Sequence, residues 1–378
     1  MITNSVKVPE NEVSVFKYKK EYGIIGGMDC GGSNLMKINE QIPGIVKIII
    51  TTRTHHEEVK ARQRANELKL PLVELDFRRY EEEKGVFHGD YFKALQIREF
   101  ESKVKEIGDE KVNAKSFERV YYSARIRDLR DKIKSKLPLE KIIEVRNDVC
   151  NIFRDMIYEK MKNNGINPNI PMFAAGIMAL FSEDFVSVSK GGFDIENVHP
   201  GDVTKYDLEG NLRHRRMIVG DGWIPPAKAI SAGHDFLYSS FHKMIYEMDA
   251  GPIYMRGYGL PIDYNFLLSK VNIKDKEILK QIGGIAQETL KYIGDHVIAG
   301  ATFQDMFNGK WGYHKSGVLA YKFDDEWYLA PNGIMIEDHV ANNPNTVFKR
   351  DESFIKNKIK EFYANINKIS KQNKSKSL

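Results

Sequence analysis

The feature that most constrains the fold is a mostly β-branched segment, residues 46–50, that is followed by a segment of helical periodicity. Such a run is typical of a strand buried on both faces of a parallel sheet. Residues 57–68 carry apolar side chains at helical spacing, and residues 70–75 return to strand character. Strands and helices that alternate at this spacing predict βαβ units and a doubly wound α/β fold.

Size and composition narrow the class of protein. A chain of 378 residues can hold one large domain with additions or two modest ones, and 42% hydrophobic residues suffice for a sizeable core. The net charge of +5 suits anionic substrates such as phosphates and folyl glutamates, and it is too slight to require nucleic acid. Cys30 and Cys150 are the only cysteines, which favours a reducing compartment over a disulfide framework.

The N-terminal residues and the apolar segments of the sequence suggest a cellular compartment. The first nine residues lack the basic region and apolar core of a secretory signal, and no apolar run approaches the length of a membrane span. We therefore expect a soluble, cytoplasmic protein without a membrane partner. No cluster of histidine, cysteine and carboxylate side chains has metal-ligand spacing, so no metal is expected.

The chain is predicted to have three parts: a leader at 1–21, a main domain at 22–338, and a C-terminal helix with a basic tail at 339–378. Within the main domain, densely charged residues with helical spacing predict an inserted, mainly helical subdomain at about 78–143. Its charges are either a solvated helix face or include an arginine that reaches a phosphate or polyglutamate. The candidates for that contact are Arg98, Arg119, Arg125, Arg127 and Arg130.

A pair of side chains in an extended segment is the main candidate for catalysis. Asn197 and His199 are two residues apart, so they point to the same side of a strand. Pro200 cannot continue a central strand, which places the pair at the point where a strand gives way to a loop. Asp249 lies farther along, just before Gly251 and Pro252. An amide donor, a histidine and a carboxylate are the groups that acyl transfer to an amine requires.

The segments 31–35, 46–52, 65–71 and 174–178, followed in order by Asn197, His199 and Asp249, resemble the folate-dependent formyltransferases. The resemblance is strongest to the phosphoribosylglycinamide formyltransferases. It implies a Rossmann-like, open, mostly parallel sheet with the helical subdomain inserted. It also implies that a formyl group moves from 10-formyltetrahydrofolate, the co-substrate, to glycinamide ribonucleotide in purine biosynthesis.

The resemblance further implies a role for each matching residue. Asn197 would donate a hydrogen bond to the oxyanion, His199 would stand beside it, and Asp249 would assist proton transfer. His242 matches a supporting histidine. The residues implied to bind the substrate are Gly32, Ser33 and Asn34 at its phosphate and Asp295 at its ribose, with Glu288 as the competitor of Asp295. Those implied to bind folate are Met178, Leu180, Phe181, Glu247 and Met248.

The sequence departs from the family pattern beside the acceptor site. A longer, charged run at 201–216 follows His199 and Pro200, and Ala179 stands where the family commonly has an arginine. An alternative is therefore a formyltransferase for another amine, such as a nucleotide-linked amino sugar. A further alternative, of another class, is a non-catalytic folate- or RNA-binding protein on the same fold. The oligomeric state and the role of the insertion are left open.

Overall fold

The computed structural model describes most of the chain, and the described residues are 6–17, 20–26, 39, 43–52, 57–87, 89–107, 114–175, 181–199, 201, 223–231, 233–245 and 251–376. The chain divides into two compact units. The first consists of Met1–Ile49, Asn169–Gly176 and Asp194–Leu378, and the second consists of Ile50–Pro168 and Ile177–Phe193.

Strands and helices alternate through much of the chain. The strands are β1 Lys7–Val8, β2 Val13–Val15, β3 Tyr22–Gly26, β4 Val46–Thr52, β5 Leu72–Leu75, β6 Met172–Ala175, β7 Ile195–His199, β8 Phe236–Leu237, β9 Ser240–Lys243, β10 Ile253–Arg256, β11 Leu260–Pro261, β12 Trp311–His314, β13 Leu319–Phe323, β14 Glu326–Leu329 and β15 Ile334–Met335. The helices are α1 Glu57–Leu68, α2 Phe77–Glu83, α3 Asp90–Ile107, α4 Ala114–Asp131, α5 Leu139–Asn163, α6 Glu183–Val186, α7 Ile224–Ser231, α8 Tyr264–Lys270, α9 Lys276–Leu290, α10 His296–Phe307, α11 Ile336–Asn342 and α12 Glu352–Lys376. A π-helical segment, Lys291–Asp295, joins α9 to α10.

The large sheet of the first unit has the predicted mixed α/β character and is mostly parallel. Its strand order is β15-β10-β9-β7-β6-β3-β4. Strands β3, β6 and β7 run parallel, as do β10 and β15, whereas β9 is antiparallel to both of its neighbours. Ile48, Ile49 and Ile50 at successive positions of β4 are all fully buried. Their burial confirms the prediction that this strand is covered on both faces, because successive side chains point to opposite faces of a sheet.

Aromatic side chains cover one face of the sheet. Phe303 of α10 contacts Tyr22 of β3, Phe173 of β6 and Phe241 of β9, with ring centroids 5.1, 6.3 and 5.6 Å away. All four rings are fully buried. Burying an aromatic side chain contributes about 2 kcal/mol or more, so this layer is a principal source of stability for the first unit.

A second sheet of the first unit has the order β1-β14-β13-β12-β2. Strands β13 and β14 form a hairpin whose two-residue turn, Asp324 and Asp325, has positive φ at both positions. That conformation matches the twist of a hairpin. Residues 7–8 and 13–15, inside the segment predicted as a leader, are edge strands of this sheet.

The second unit is mainly helical and contains α1 to α6 with β5. Its core includes the edge-to-face pair Phe77 and Phe153, with ring centroids 4.3 Å apart, and a buried ion pair between Arg146 and Glu81. The segment predicted as a helical insertion is helical over α2, α3, α4 and the start of α5. That it is an insertion relative to shorter proteins stays a prediction.

The described helices and ionisable side chains bear on membrane crossing and metal binding. None of their helices combines the length and apolar character that a membrane span requires. Within the same residues, no three histidine, cysteine or carboxylate side chains are grouped as a metal site would need.

Candidate active site

The candidate site lies at the carboxyl ends of three parallel strands. The chain passes from β3 to β4 on one side and returns with β6 on the other, so the strand order reverses between β3 and β6. Open α/β sheets bind ligands at such a switch point, outside the carboxyl ends of the strands. Here these ends are Gly26 of β3, Ala175 of β6 and His199 of β7.

Asn197 and His199 share one face of β7, as their spacing predicts. In the strand pairing, Asn197 lies opposite Ala174 of β6 and His242 of β9, and His199 lies opposite Ser240 of β9. Asn197 is half-buried and His199 is buried. Phe241, opposite Val198, contacts Phe303, so the Asn197 face is the one that α10 does not cover.

His242 joins the pair through the antiparallel pairing of β7 with β9. Its ring centroid lies 6.4 Å from that of His199, with the two rings nearly perpendicular. Nδ1 of His242 lies 3.0 Å from the carbonyl oxygen of Lys243. Since a carbonyl oxygen only accepts, Nδ1 carries the proton of this contact, and Nε2 bears the lone pair of the neutral ring. The contact with the Lys243 carbonyl oxygen thus fixes the ring tautomer of His242, the residue that matches a supporting histidine.

Ser240 is a component of this edge that the sequence did not reveal. It is fully buried opposite His199, and its hydroxyl donates a 2.8 Å hydrogen bond to the carbonyl oxygen of Gly201. This bond holds the chain just after it leaves β7, where backbone groups no longer have a strand partner. No local sequence feature marks Ser240 for this hydrogen bond. Only the register of β9 against β7 places Ser240 beside His199.

Asp295 lies at the end of the π-helical segment and close to the start of β9. It is 4% exposed, and its Oδ1 has no hydrogen-bond partner among the described residues. Burial raises the pKa of Asp295 to about 6, while the Ser239 hydroxyl and Lys291 act in the opposite direction. Ser239 precedes Ser240, the partner of His199, so Asp295 lies at the same edge of the sheet as the candidate site.

Two glycines allow this close packing around Ser239. A Cβ atom on Gly294 would lie 2.3 Å from Oγ of Ser239, and one on Gly257 would lie 2.5 Å from it. Real Cβ atoms do not approach other atoms so closely, so larger residues would displace Ser239 or the backbone. π-Helical segments occur frequently at functional sites, and this one brings a buried carboxyl group to the site edge.

Glu288, the competitor of Asp295, is in a different environment. Its side chain is 56% exposed and forms a 3.2 Å ion pair with Lys291. A carboxylate that is already hydrated and paired has less to gain from a hydroxyl ligand than one with an unsatisfied buried oxygen. Asp295 is thus the carboxylate with an unsatisfied buried oxygen, and which of the two contacts a ribose stays a prediction.

Phe181 is the one predicted folate-contacting residue that lies among the described residues. It belongs to the second unit, where its ring stacks on Phe185 at 4.3 Å and lies 5.9 Å from Phe77. It is 4% exposed. Its contact with folate stays a prediction.

The remaining predicted residues lie outside the described residues, and their roles stay predictions. They are Gly32, Ser33, Asn34, Met178, Leu180, Glu247, Met248 and Asp249. In the sequence, Gly32, Ser33 and Asn34 come after the described end of β3. Met178 and Leu180 come after the described end of β6. Strand β9 ends at Lys243, opposite Glu196 at the amino-terminal part of β7, and residues 246–250 follow.

The comparisons with known proteins give little further information. No family model matches the chain, and no curated protein matches it. Among solved structures, it is similar to a phosphoribosylglycinamide formyltransferase from Streptococcus pneumoniae TIGR4, with 13% sequence identity over 72% of this chain and 99% of that chain, and a TM-score of 0.32.

Proposed function

We propose that this protein transfers a formyl group from 10-formyltetrahydrofolate to the amine of glycinamide ribonucleotide. The observation that carries the proposal is the grouping of Asn197, His199 and His242 on one face at the carboxyl end of β7. This grouping lies beside the reversal of strand order, where α/β sheets bind their ligands. The sequence resemblance supplies the substrates.

Each side chain has a chemical task in this reaction. Asn197 donates an amide hydrogen bond to the formyl oxygen as negative charge develops there, and His199 stands beside it on the same face. The attacking amine must lose a proton, and a histidine has an ordinary pKa suited to moving it near neutral pH. Asp249 is proposed to orient this transfer.

The acceptor is proposed to be held by a phosphate contact and a ribose contact. Backbone N–H groups of Gly32, Ser33 and Asn34 would bind the phosphate, because glycine allows the backbone to approach an anion closely. The unsatisfied Oδ1 of Asp295 supports the ribose contact, since a hydroxyl donor would complete its hydrogen bonding. The charged run at 201–216 differs from the family at this place, so the acceptor is the part of the proposal to test first.

The test is formyl transfer from 10-formyltetrahydrofolate, measured in parallel with glycinamide ribonucleotide and with a nucleotide-linked amino sugar. We expect turnover with the first acceptor, a fall of about 10²- to 10³-fold in kcat for Asn197→Ala, and loss of turnover for Asp249→Asn. Glu288→Gln, at an exposed site, is the matched control and should retain activity.

Three other outcomes would change the proposal. Turnover with only the amino sugar would keep the reaction and replace the acceptor. Full activity in both Asn197→Ala and Asp249→Asn would mean that the site is elsewhere. Absence of both turnover and folate binding would overturn the enzymatic function.

A further inference from the structure

A second group of ionisable side chains lies on the opposite face of β7 from the candidate site. Glu196 lies directly opposite Lys243 in the pairing of β7 with β9, and Asp194 is two residues before Glu196. Nζ of Lys243 lies 2.5 Å from Oδ1 of Asp194, with side chains 23% and 18% exposed. Three groups that can exchange protons therefore lie side by side within the first unit.

The surroundings of this group are largely aromatic. The ring of Phe16 lies 5.2 Å from that of Tyr313 and 6.3 Å from that of Tyr254, between ring centroids. Burial raises the pKa of the Tyr313 hydroxyl, and the charges of Lys243 and Asp194 act on it as well. These rings shield the pair only in part, because the side chains of Lys243 and Asp194 stay 23% and 18% exposed.

Glu196 is the unusual member of the group. It is fully buried, and neither of its carboxyl oxygens has a hydrogen-bond partner among the described residues. Burial, together with the charge of Asp194, raises the pKa of Glu196 well above its ordinary range, against the opposing charge of Lys243. At any pH below this raised pKa, Glu196 carries a proton that it can donate to a neighbouring oxygen and later accept back.

The distances are compatible with a covalent reaction between Lys243 and Asp194. Because a carboxyl C–O bond is about 1.2 Å long, Nζ lies at most about 3.7 Å from Cγ of Asp194. Reacting atoms in pre-arranged sites are separated by about 3 to 3.5 Å, so little movement is needed. Burial lowers the pKa of Lys243, but the charge of Asp194 and its hydrogen bond to Lys243 act in the opposite direction and raise that pKa overall.

We propose that Lys243 and Asp194 form an intramolecular amide bond, with Glu196 as the acid that assists it. A proton first passes from the Lys243 ammonium to the Asp194 carboxylate, which leaves a neutral amine and a neutral acid. The Nζ lone pair attacks Cγ while Glu196 protonates the carboxyl oxygen, and Nζ returns a proton to Glu196. One Cγ–O bond breaks, one N–C bond has formed, and one water leaves. No oxidant or co-reactant is consumed.

A lysine–aspartate pair in the second unit serves as a control for the proposed reaction. Nζ of Lys93 lies 2.7 Å from Oδ1 of Asp90, and the two side chains are 24% and 0% exposed. Asp90, however, accepts hydrogen bonds from Ser135 and from the Lys134 backbone, and these bonds with Lys93 lower its pKa despite burial. Donors that stabilise the Asp90 carboxylate oppose the proton transfer from Lys93 that amide formation would require, so we expect Lys93 and Asp90 to stay an ion pair.

The experiment is the intact mass of the purified full-length protein, followed over time after purification. We expect the chain to approach a mass lower than its sequence mass by one water. Trypsin should then yield peptide 191–205 joined to peptide 229–256, with no cleavage after Lys243. Lys243→Arg and Asp194→Ala should stay at their sequence masses, and Lys93→Arg should still lose water.

Two variants keep the chemistry distinct from a loss of folding. Asp194→Asn can form the same amide only with loss of ammonia, so a reacting variant should be lighter by one ammonia. Glu196→Gln preserves size but lacks a transferable proton, so it should react at least tenfold more slowly. A wild-type chain that stays at its sequence mass, or a joined peptide that does not contain Lys243, would overturn the proposal. Equal rates in Glu196→Gln and wild type would overturn the role of Glu196.

Discussion

Glu196 also determines how the free energy of unfolding depends on pH. Its folded-state pKa is raised by burial above the ordinary value of 4.5, so the folded chain keeps a proton that the unfolded chain has released. Stability is therefore full below about pH 4.5 and falls as pH rises, by about 1.4 kcal/mol per pH unit until the folded pKa is reached. We expect Glu196→Gln to remove this loss and to be the more stable protein at pH 8.

Urea unfolding midpoints between pH 4 and pH 8 measure this difference. Glu326→Gln is a suitable control, because Glu326 is exposed and its pairing with Lys7 lowers its pKa. That control should not gain stability at high pH. Parallel curves for wild type and Glu196→Gln would show that Glu196 does not carry a raised pKa.

Asp295 combines a cost in stability with a proposed role in binding. Burial raises its pKa from 3.8 to about 6, so stability present below about pH 4 is lost as pH rises to about 6. We expect Asp295→Asn to be more stable than wild type at pH 7, by at most about 3 kcal/mol, and to raise KM for the ribonucleotide acceptor. Thermal unfolding and steady-state kinetics measure the two effects. Higher stability with an unchanged KM would leave Asp295 without a role in acceptor binding.

At the scale of secondary-structure elements, two neighbouring glycines of α9 should respond oppositely to alanine. A Cβ atom on Gly283 would lie 2.5 Å from the carbonyl oxygen of Trp223, just before α7, whereas one on Gly284 would meet nothing within 4 Å. Alanine favours a helix over glycine by about 1 kcal/mol. We expect Gly284→Ala to stabilise by about that amount, and Gly283→Ala to destabilise by about 1 to 3 kcal/mol.

Denaturant unfolding of the two variants tests this packing of α9 against α7. Because the residues are adjacent and the substitution is identical, differences in unfolded-state entropy largely cancel. A stabilising effect in both variants would mean that α7 does not approach Gly283 as closely as the structure indicates.

The elements that the sequence predicts best are those defined by short-range patterns. The buried strand β4 follows from a continuous run of mostly β-branched residues, and the shared face of Asn197 and His199 follows from their separation by two residues. Alternation determines which side a residue faces, because the side-chain period of a strand is two.

The remaining features depend on pairing between distant segments. Strand β9 could bring Ser240 beside His199, and Lys243 beside Glu196, only in one of several registers, and a slip by one residue would reverse the faces. The pairing of residues 7–8 with β14 and of residues 13–15 with β12 likewise joins segments about 300 residues apart in the chain. Each of these pairings is set by tertiary packing that no local pattern encodes.

At the scale of the whole molecule, the distribution of charge is the main discriminator between an enzyme and an RNA-binding protein. The net charge of +5 results from 57 basic and 52 acidic residues, so most basic side chains have acidic counterparts. In the helical segment of the second unit, several arginines are engaged with carboxylates. These pairs are Arg78 with Glu82, Arg79 with Glu83, Arg125 with Asp128 and Arg130 with Glu101.

We therefore expect no saturable binding of single-stranded RNA at physiological salt. A phosphate must compete with a carboxylate already in place, and exposed arginines that are so paired release few counterions on binding. Fluorescence anisotropy with a labelled RNA, measured from low to physiological salt, tests this. Binding that persists at physiological salt, weakens steeply with added salt and is lost in Arg127→Glu/Arg130→Glu would instead identify the helical segment as a nucleic-acid surface.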